Sequence, residues 1–191
     1  MAGAPPVVRW MLVGTAAIWV TMELRQSMAH SRKGTKAKWA SEVLFRFIVG
    51  VGALLAGIFA KGAPSATIRP AVLAIPIGLA LFWGGISVRF WSFRTLGRYF
   101  TFTVQTSRDQ PVITDGPYRV IRHPGYAGLL LIMMAMGLFI GNWWSLGCLT
   151  LAVAGALVFR IGVEERALVQ TLGDGYRSYA AKHKRLVPFV W

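Results

Sequence analysis

Acidic residues are scarce in this chain. Seven Asp and Glu stand against 21 Lys and Arg in 191 residues, and all charged residues together make up 15%. A soluble globular domain carries about 25% charged residues, so that class is excluded. There is one cysteine, Cys148, which cannot form an intrachain disulfide. A disulfide-stapled secreted domain is therefore excluded too. The three histidines, His30, His123 and His183, are scattered, and no Cys/His spacing supports a zinc site. No internal repeat or low-complexity segment is present. What remains is apolar: 55% hydrophobic residues, 8 Trp and 11 Phe, with a mean hydropathy of +0.52. A net charge of +14 on such a background describes an integral membrane protein with basic loops.

A bilayer core of about 30 Å takes roughly 20 apolar residues per helix. Five stretches qualify or nearly so: Val7 to Leu24, Val43 to Ala60, Ile68 to Phe90, Tyr126 to Ile140 and Trp143 to Phe159. The first is expected to be a retained span rather than a signal peptide, because Glu23 and Arg25 intervene before the small residues Ser27-Met28-Ala29. Gly141 and Asn142 alone separate the last two, beside Trp143 and Trp144. That predicts a helical hairpin whose tip lies near an interface, where Trp prefers to sit. Small residues at Gly52, Ala53, Ala56 and Gly57, and at Gly78, Gly84 and Gly85, permit close helix approach.

Five spans place residues 25–42, residues 91–125 and the C-terminus on one side. Counting basic residues just inside the helix ends, that side holds 18 of the 21, and only Arg9, Lys61 and Arg69 lie opposite. The positive-inside rule makes the basic side cytoplasmic. The charge thus reports topology and attraction to anionic lipids; spread over three loops, it does not form a nucleic-acid recognition module. The expected fold is an all-α integral membrane protein of about five transmembrane helices, the last two a hairpin, with a cytoplasmic C-terminal helical segment. It is one membrane domain over 1–191, with N-terminal spans in 1–96 and a second half in 97–191 that carries the polar clusters.

The polar chemistry lies after residue 97. Asp115-Gly116-Pro117 is a turn signal, and residues 101–105 alternate as a short extended segment would. Arg122-His123-Pro124-Gly125-Tyr126 precedes the fourth span. Pro124 suits the first helical position, which puts His123 at the N-cap. The open N–H groups there would receive a carboxylate or phosphate; alternatively His123 is only a cap and Arg122 snorkels to headgroups. At the end of the fifth span, Arg160 and Glu164 share a helix face. They read as an i,i+4 ion pair or as a ligand site, since a carboxylate at the bilayer edge needs a partner. A helix over about 162–171, a Gly-rich break, a second short helix and an apolar end are expected beyond. Tyr176 and Tyr179 there suit packing and interface anchoring.

These clusters, in this order, resemble the isoprenylcysteine carboxyl methyltransferase family. The residues that carry the likeness are Gly116-Pro117-Tyr118 with Arg122-His123-Pro124-Gly125-Tyr126, then Arg160 with Glu164-Glu165 and Leu168, then Gly173, Tyr176 and Tyr179. The resemblance covers about 90 residues, from Gly97 to Pro188. It implies a multi-span helical enzyme that holds S-adenosylmethionine at its cytoplasmic face. By matching positions, Gln105, Gln110, Pro111, Val112, Ile113, Tyr118, His123, Pro124, Gly125, Tyr126 and Glu164 would line the cofactor pocket, and Arg160 would orient the methyl acceptor. The acceptor implied is lipophilic, a prenylcysteine-like or other lipid carboxylate entering from the membrane. A carboxylate needs no general base; an amine, hydroxyl or thiol would need one, from His123 or Glu165. Two other readings stay open: an NADPH-dependent membrane reductase of the sterol reductase type, whose C-terminal half is similar, and a non-enzymatic scaffold.

Overall fold

The computed structural model describes residues 36–97 and 111–191, together with Gly14 and Thr21. The first expected span, the extended segment at 101–105, Gln105 and Gln110 lie outside the described residues. The described residues between 36 and 191 form four α-helices: α1 (Lys36–Gly62), α2 (Ala71–Leu96), α3 (Pro124–Ile140) and α4 (Trp143–Lys182). Short 3-10 turns occupy Pro64–Ala66 and Gly116–Arg119. Only isolated bridges, Thr67 with Asn142 and Ile121 with Lys184, have β pairing among the described residues.

Ser41–Gly62, Val72–Leu96 and Trp143–Lys182 are long and apolar enough to cross a membrane, and Pro124–Ile140 is a shorter apolar helix. At 1.5 Å per residue α3 is about 26 Å long. Large apolar side chains face outward on three helices: Phe47, Leu54 and Ile58 on α1, Val72 and Leu73 on α2, Leu151 and Val158 on α4. In water such patches would be a liability; in lipid they are the expected surface.

The core is built from Ala56, Phe82, Ile132, Val153 and Leu157, all fully buried. At the α2–α3 crossing the two backbones meet closely. A Cβ on Gly85 would lie 2.6 Å from the Gly128 carbonyl oxygen, and one on Gly128 would lie 2.5 Å from that of Gly85. Of the predicted small-residue contacts, Gly52 closes on Ala152 and Gly78 on Phe139, whereas Gly57 and Gly84 meet nothing within 4 Å. α1 packs mainly on α4.

Gly141 ends α3 in the left-handed conformation, φ 78°, which an L side chain disfavours. Asn142 then caps α4, its Oδ1 accepting from Trp144 N at 3.0 Å and Ser145 N at 3.2 Å. Its Nδ2 donates to the Ala63 carbonyl at 2.8 Å, and Ile68 N donates to the Gly141 carbonyl at 2.9 Å. The predicted hairpin is thus formed, with exposed Trp143 and Trp144 at its tip, and it is tied to the α1–α2 connection.

The third stretch becomes helical only at Ala71, because Pro70 has no N–H to give and suits only a helix start. Within α4 the fifth span runs on into the C-terminal helical segment. The expected Gly-rich break is formed at Gly173, whose φ of 56° and ψ of −133° divide α4 into two helical stretches.

Candidate active site

Opposite the hairpin tip, two polar clusters lie side by side, split by adjacent residues of α4. Successive helical side chains point about 100° apart, so Glu164 and Glu165 serve different partners.

Glu165 is the hub of the first cluster. Its Oε1 accepts from Arg122 Nη1 at 2.9 Å and lies 3.3 Å from His123 Nε2; its Oε2 accepts from Arg185 Nε at 2.9 Å. The backbone joins the same elements. Arg122 N donates to the Lys184 carbonyl at 2.8 Å and His123 N to that of Arg185 at 2.9 Å. The tail after α4 is thereby clamped beside the segment that starts α3. Arg122, which the capping alternative would send to lipid headgroups, has a side chain only 11% exposed. Glu165 gives its lone pairs to three cationic or ring donors, so it is an architectural carboxylate rather than an acceptor's base, and His123 turns toward it.

His123 does occupy the N-cap of α3, without a side-chain cap bond. The anion site expected there is small. Pro124 has no N–H, and Tyr126 and Ala127 both donate back to the His123 carbonyl at 3.1 Å. Gly125 is left as the donor of that first turn. Its own carbonyl accepts from Arg89 Nη1 at 2.9 Å.

Tyr126 organises the second cluster. Its hydroxyl donates to Glu164 Oε2 at 2.6 Å and accepts from Arg160 Nε at 2.8 Å. Arg160 and Glu164 are therefore bridged by a phenol, where an i,i+4 ion pair was the simplest expectation. Arg160 Nη1 donates to Glu42 Oε2 on α1, and Glu42 Oε1 accepts from Arg46 Nε at 2.9 Å. The Arg160 guanidinium also lies over the Phe45 ring, 5.3 Å from its centroid. The His123 and Tyr126 rings stack at 5.6 Å.

Tyr118, in the turn after Gly116, is buried beside this cluster. Burial, reinforced by the Glu164 carboxylate, pushes its phenol pKa up, so it stays a neutral donor. Gly116 has φ 56°, and a Cβ there would strike Thr95 Oγ1 at 2.7 Å; glycine lets the turn lie against α2. The Tyr179 hydroxyl donates to the Tyr118 carbonyl at 2.7 Å. Val112 approaches Gly175, 3.7 Å from a Cβ built there, which brings the 111–113 segment against the end of α4. Pro111 itself is exposed.

The described residues of the expected cofactor set thus gather around one end of the bundle, with Arg160 sharing Tyr126 with Glu164. Three participants were not foreseen. Glu42 was legible as one of the seven acidic residues, near a basic helix start. Arg185 as a partner of Glu165 had no sequence signal, since 20 residues and a backbone interruption separate them. Tyr176 is 4% exposed, and its hydroxyl has no hydrogen-bond partner among the described residues.

Comparison with known proteins bears on this constellation. Residues 77–170 match the model of the isoprenylcysteine carboxyl methyltransferase (ICMT) family. Those residues belong to that family. A probable protein-S-isoprenylcysteine O-methyltransferase of Oryza sativa subsp. indica is 33% identical over 116 residues, covering 60% of this chain and 61% of the relative. The chain thus spans about three fifths of the plant relatives' length. A methanethiol S-methyltransferase of Pseudomonas sp. (strain GM41(2012)) is 28% identical over 204 residues, covering 96% of this chain and 76% of that protein. Among solved structures, the eukaryotic intramembrane Ras methyltransferase ICMT superposes with a TM-score of 0.64 at 24% identity, covering 77% of this chain and 53% of that one. That likeness establishes the shared all-helical membrane fold.

Proposed function

We propose that this protein is a membrane methyltransferase that uses S-adenosylmethionine to methylate a lipophilic acceptor at the cytoplasmic face. The observation that carries the reading is the Tyr126 hydroxyl, which joins Glu164 to Arg160 in one hydrogen-bonded chain. A residue suited to a cationic donor is thereby held next to one suited to an anionic or polar acceptor.

The residues present fit such a cofactor. Glu164 offers a carboxylate to an ammonium or to ribose hydroxyls. The Tyr118 and Tyr126 rings offer π faces to a sulfonium, and the buried Tyr176 hydroxyl has hydrogen-bonding capacity to spare. His123, Pro124 and Gly125 would form the wall at the start of α3, and Val112 and Ile113 would line the loop side; Gln105 and Gln110 are assigned to the cofactor by the resemblance alone. When bound, S-adenosylmethionine supplies an electrophilic methyl group. Arg160 holds the acceptor in line, and the surrounding helices exclude water; both act through positioning. An acceptor carboxylate is already anionic and needs no proton removed, which agrees with the engagement of His123 and Glu165 elsewhere.

The family match favours a prenylcysteine-like carboxylate. A second reading, a small lipophilic thiol, is favoured by the methanethiol S-methyltransferase that aligns over 96% of this chain. In topology, the reading places five spans across the bilayer with the basic loops and the C-terminus cytoplasmic.

Calorimetric titration of the purified chain in detergent with S-adenosylmethionine, S-adenosylhomocysteine and NADPH tests the proposal. Saturable binding of the first two alone is the expected result. Binding of NADPH alone, or of none of the three by folded protein, refutes it.

A further inference from the structure

We propose that Glu42 is a specificity-determining residue of the acceptor site: its carboxylate occupies, on the Arg160 guanidinium, the seat of an acceptor carboxylate, and thereby sets which acceptor charge is admitted. This rests on the methyl-transfer reading and deepens it.

Arg160 presents a planar fork of donors suited to carboxylates. One edge is committed, since Nε donates to Tyr126, and Nη1 carries Glu42 Oε2. The group found on the acceptor-facing guanidinium is thus itself a carboxylate, delivered by a different helix. α1 reaches the rest of the bundle mainly through α4, so Glu42 comes from a different helix than Tyr126 of α3, which engages Glu164.

The pairing is built to exchange. The Arg160 side chain is 6% exposed and that of Glu42 15%, whereas Arg46, the other partner of Glu42, is 63% exposed. Turned away from Arg160, the Glu42 carboxylate keeps Arg46 and meets water, so it avoids becoming an unpaired buried charge. Arg160 lacks that freedom, since Tyr126 and the Phe45 ring hold it in place. An anionic acceptor must therefore displace Glu42, and two carboxylates on one guanidinium repel each other. An uncharged acceptor meets no such competition. Glu42 thus lowers the affinity for carboxylates selectively.

The test uses the full chain in detergent, saturated with S-adenosylhomocysteine. Calorimetry measures binding of an N-acylated S-prenylcysteine and of its uncharged carboxamide to wild type, Glu42→Gln and Glu42→Asp. The expected result is that Glu42→Gln tightens carboxylate binding relative to carboxamide binding by about tenfold, the effect of removing one competing charge worth about 1.4 kcal/mol. Glu42→Asp keeps the wild-type ratio. A ratio unchanged within twofold in Glu42→Gln, or equal weakening of both probes, overturns the proposal and leaves Glu42 as a mere prop for Arg160. The same titrations without S-adenosylhomocysteine separate the two readings. Failure to bind the cofactor product defeats methyl transfer, while the probe ratio still reports on Glu42.

Discussion

Replacing Glu165 with Gln removes one negative charge from the middle of three donors while leaving the side chain's size unchanged. In the wild type, Arg122 and Arg185 each lie 2.9 Å from its carboxylate and His123 lies 3.3 Å away. Removing one partner of a buried ion pair costs about 3–5 kcal/mol. The Arg185 side chain is 39% exposed, so water takes over part of its share, and exposed pairs contribute little. Arg122 and His123, at 11% and 4%, have no such relief. The glutamine amide also retains one acceptor oxygen. The net loss should be about 2–3 kcal/mol, below the full value for a buried pair. For a chain of this size each kcal/mol moves Tm by about 2–4 °C, so the drop should be about 5–10 °C. Thermal unfolding in detergent, with and without S-adenosylhomocysteine, is the assay. Glu165→Gln should lower the melting temperature of the free protein, because the tail is then held to residues 121–123 chiefly by its backbone bonds. Glu164→Gln should instead diminish the upward shift produced by the ligand. A Glu165→Gln protein that melts within 1 °C of wild type would refute the argument that this carboxylate is architectural.

Other consequences are as direct. Arg160→Ala should abolish turnover while S-adenosylhomocysteine affinity stays within about threefold, because the guanidinium is assigned to the acceptor; retained methylation of any acceptor would remove that role. Glu164→Ala should weaken cofactor binding by about tenfold or more, the loss of one charge-assisted hydrogen bond, and an unchanged Kd in calorimetry would reject it. Gly128→Ala should destabilise the bundle by about 1–3 kcal/mol through overpacking, since its Cβ meets the Gly85 backbone at 2.5 Å; wild-type thermal stability would show that the α2–α3 crossing yields. Asn142→Ala should cost about 1–2 kcal/mol, the effect of losing a helix cap, with the bond to Ala63 lost as well; denaturation in detergent reads this directly.

Several features of this protein were determined by the sequence alone, because they depend on local composition. Runs of apolar residues must be helical in lipid, since every backbone polar group has to be satisfied internally; hence α1, α2, α3 and the start of α4 fall where hydropathy places them. Gly141-Asn142 dictates the hairpin because a left-handed residue followed by a good N-cap ends one helix and starts the next. His123-Pro124 likewise marks the start of α3. The pairing of the charges was decided only in three dimensions. Glu164 and Glu165 are chemically identical in the sequence, yet the 100° turn between them sends one to Tyr126 and the other to Arg122 and Arg185. Glu42 meets Arg160 across 118 residues, and Arg185 returns to Glu165 only because Gly173 interrupts α4. Helices form from neighbours in the chain, whereas the partner of a charge is whichever opposite group the packing brings within about 4 Å.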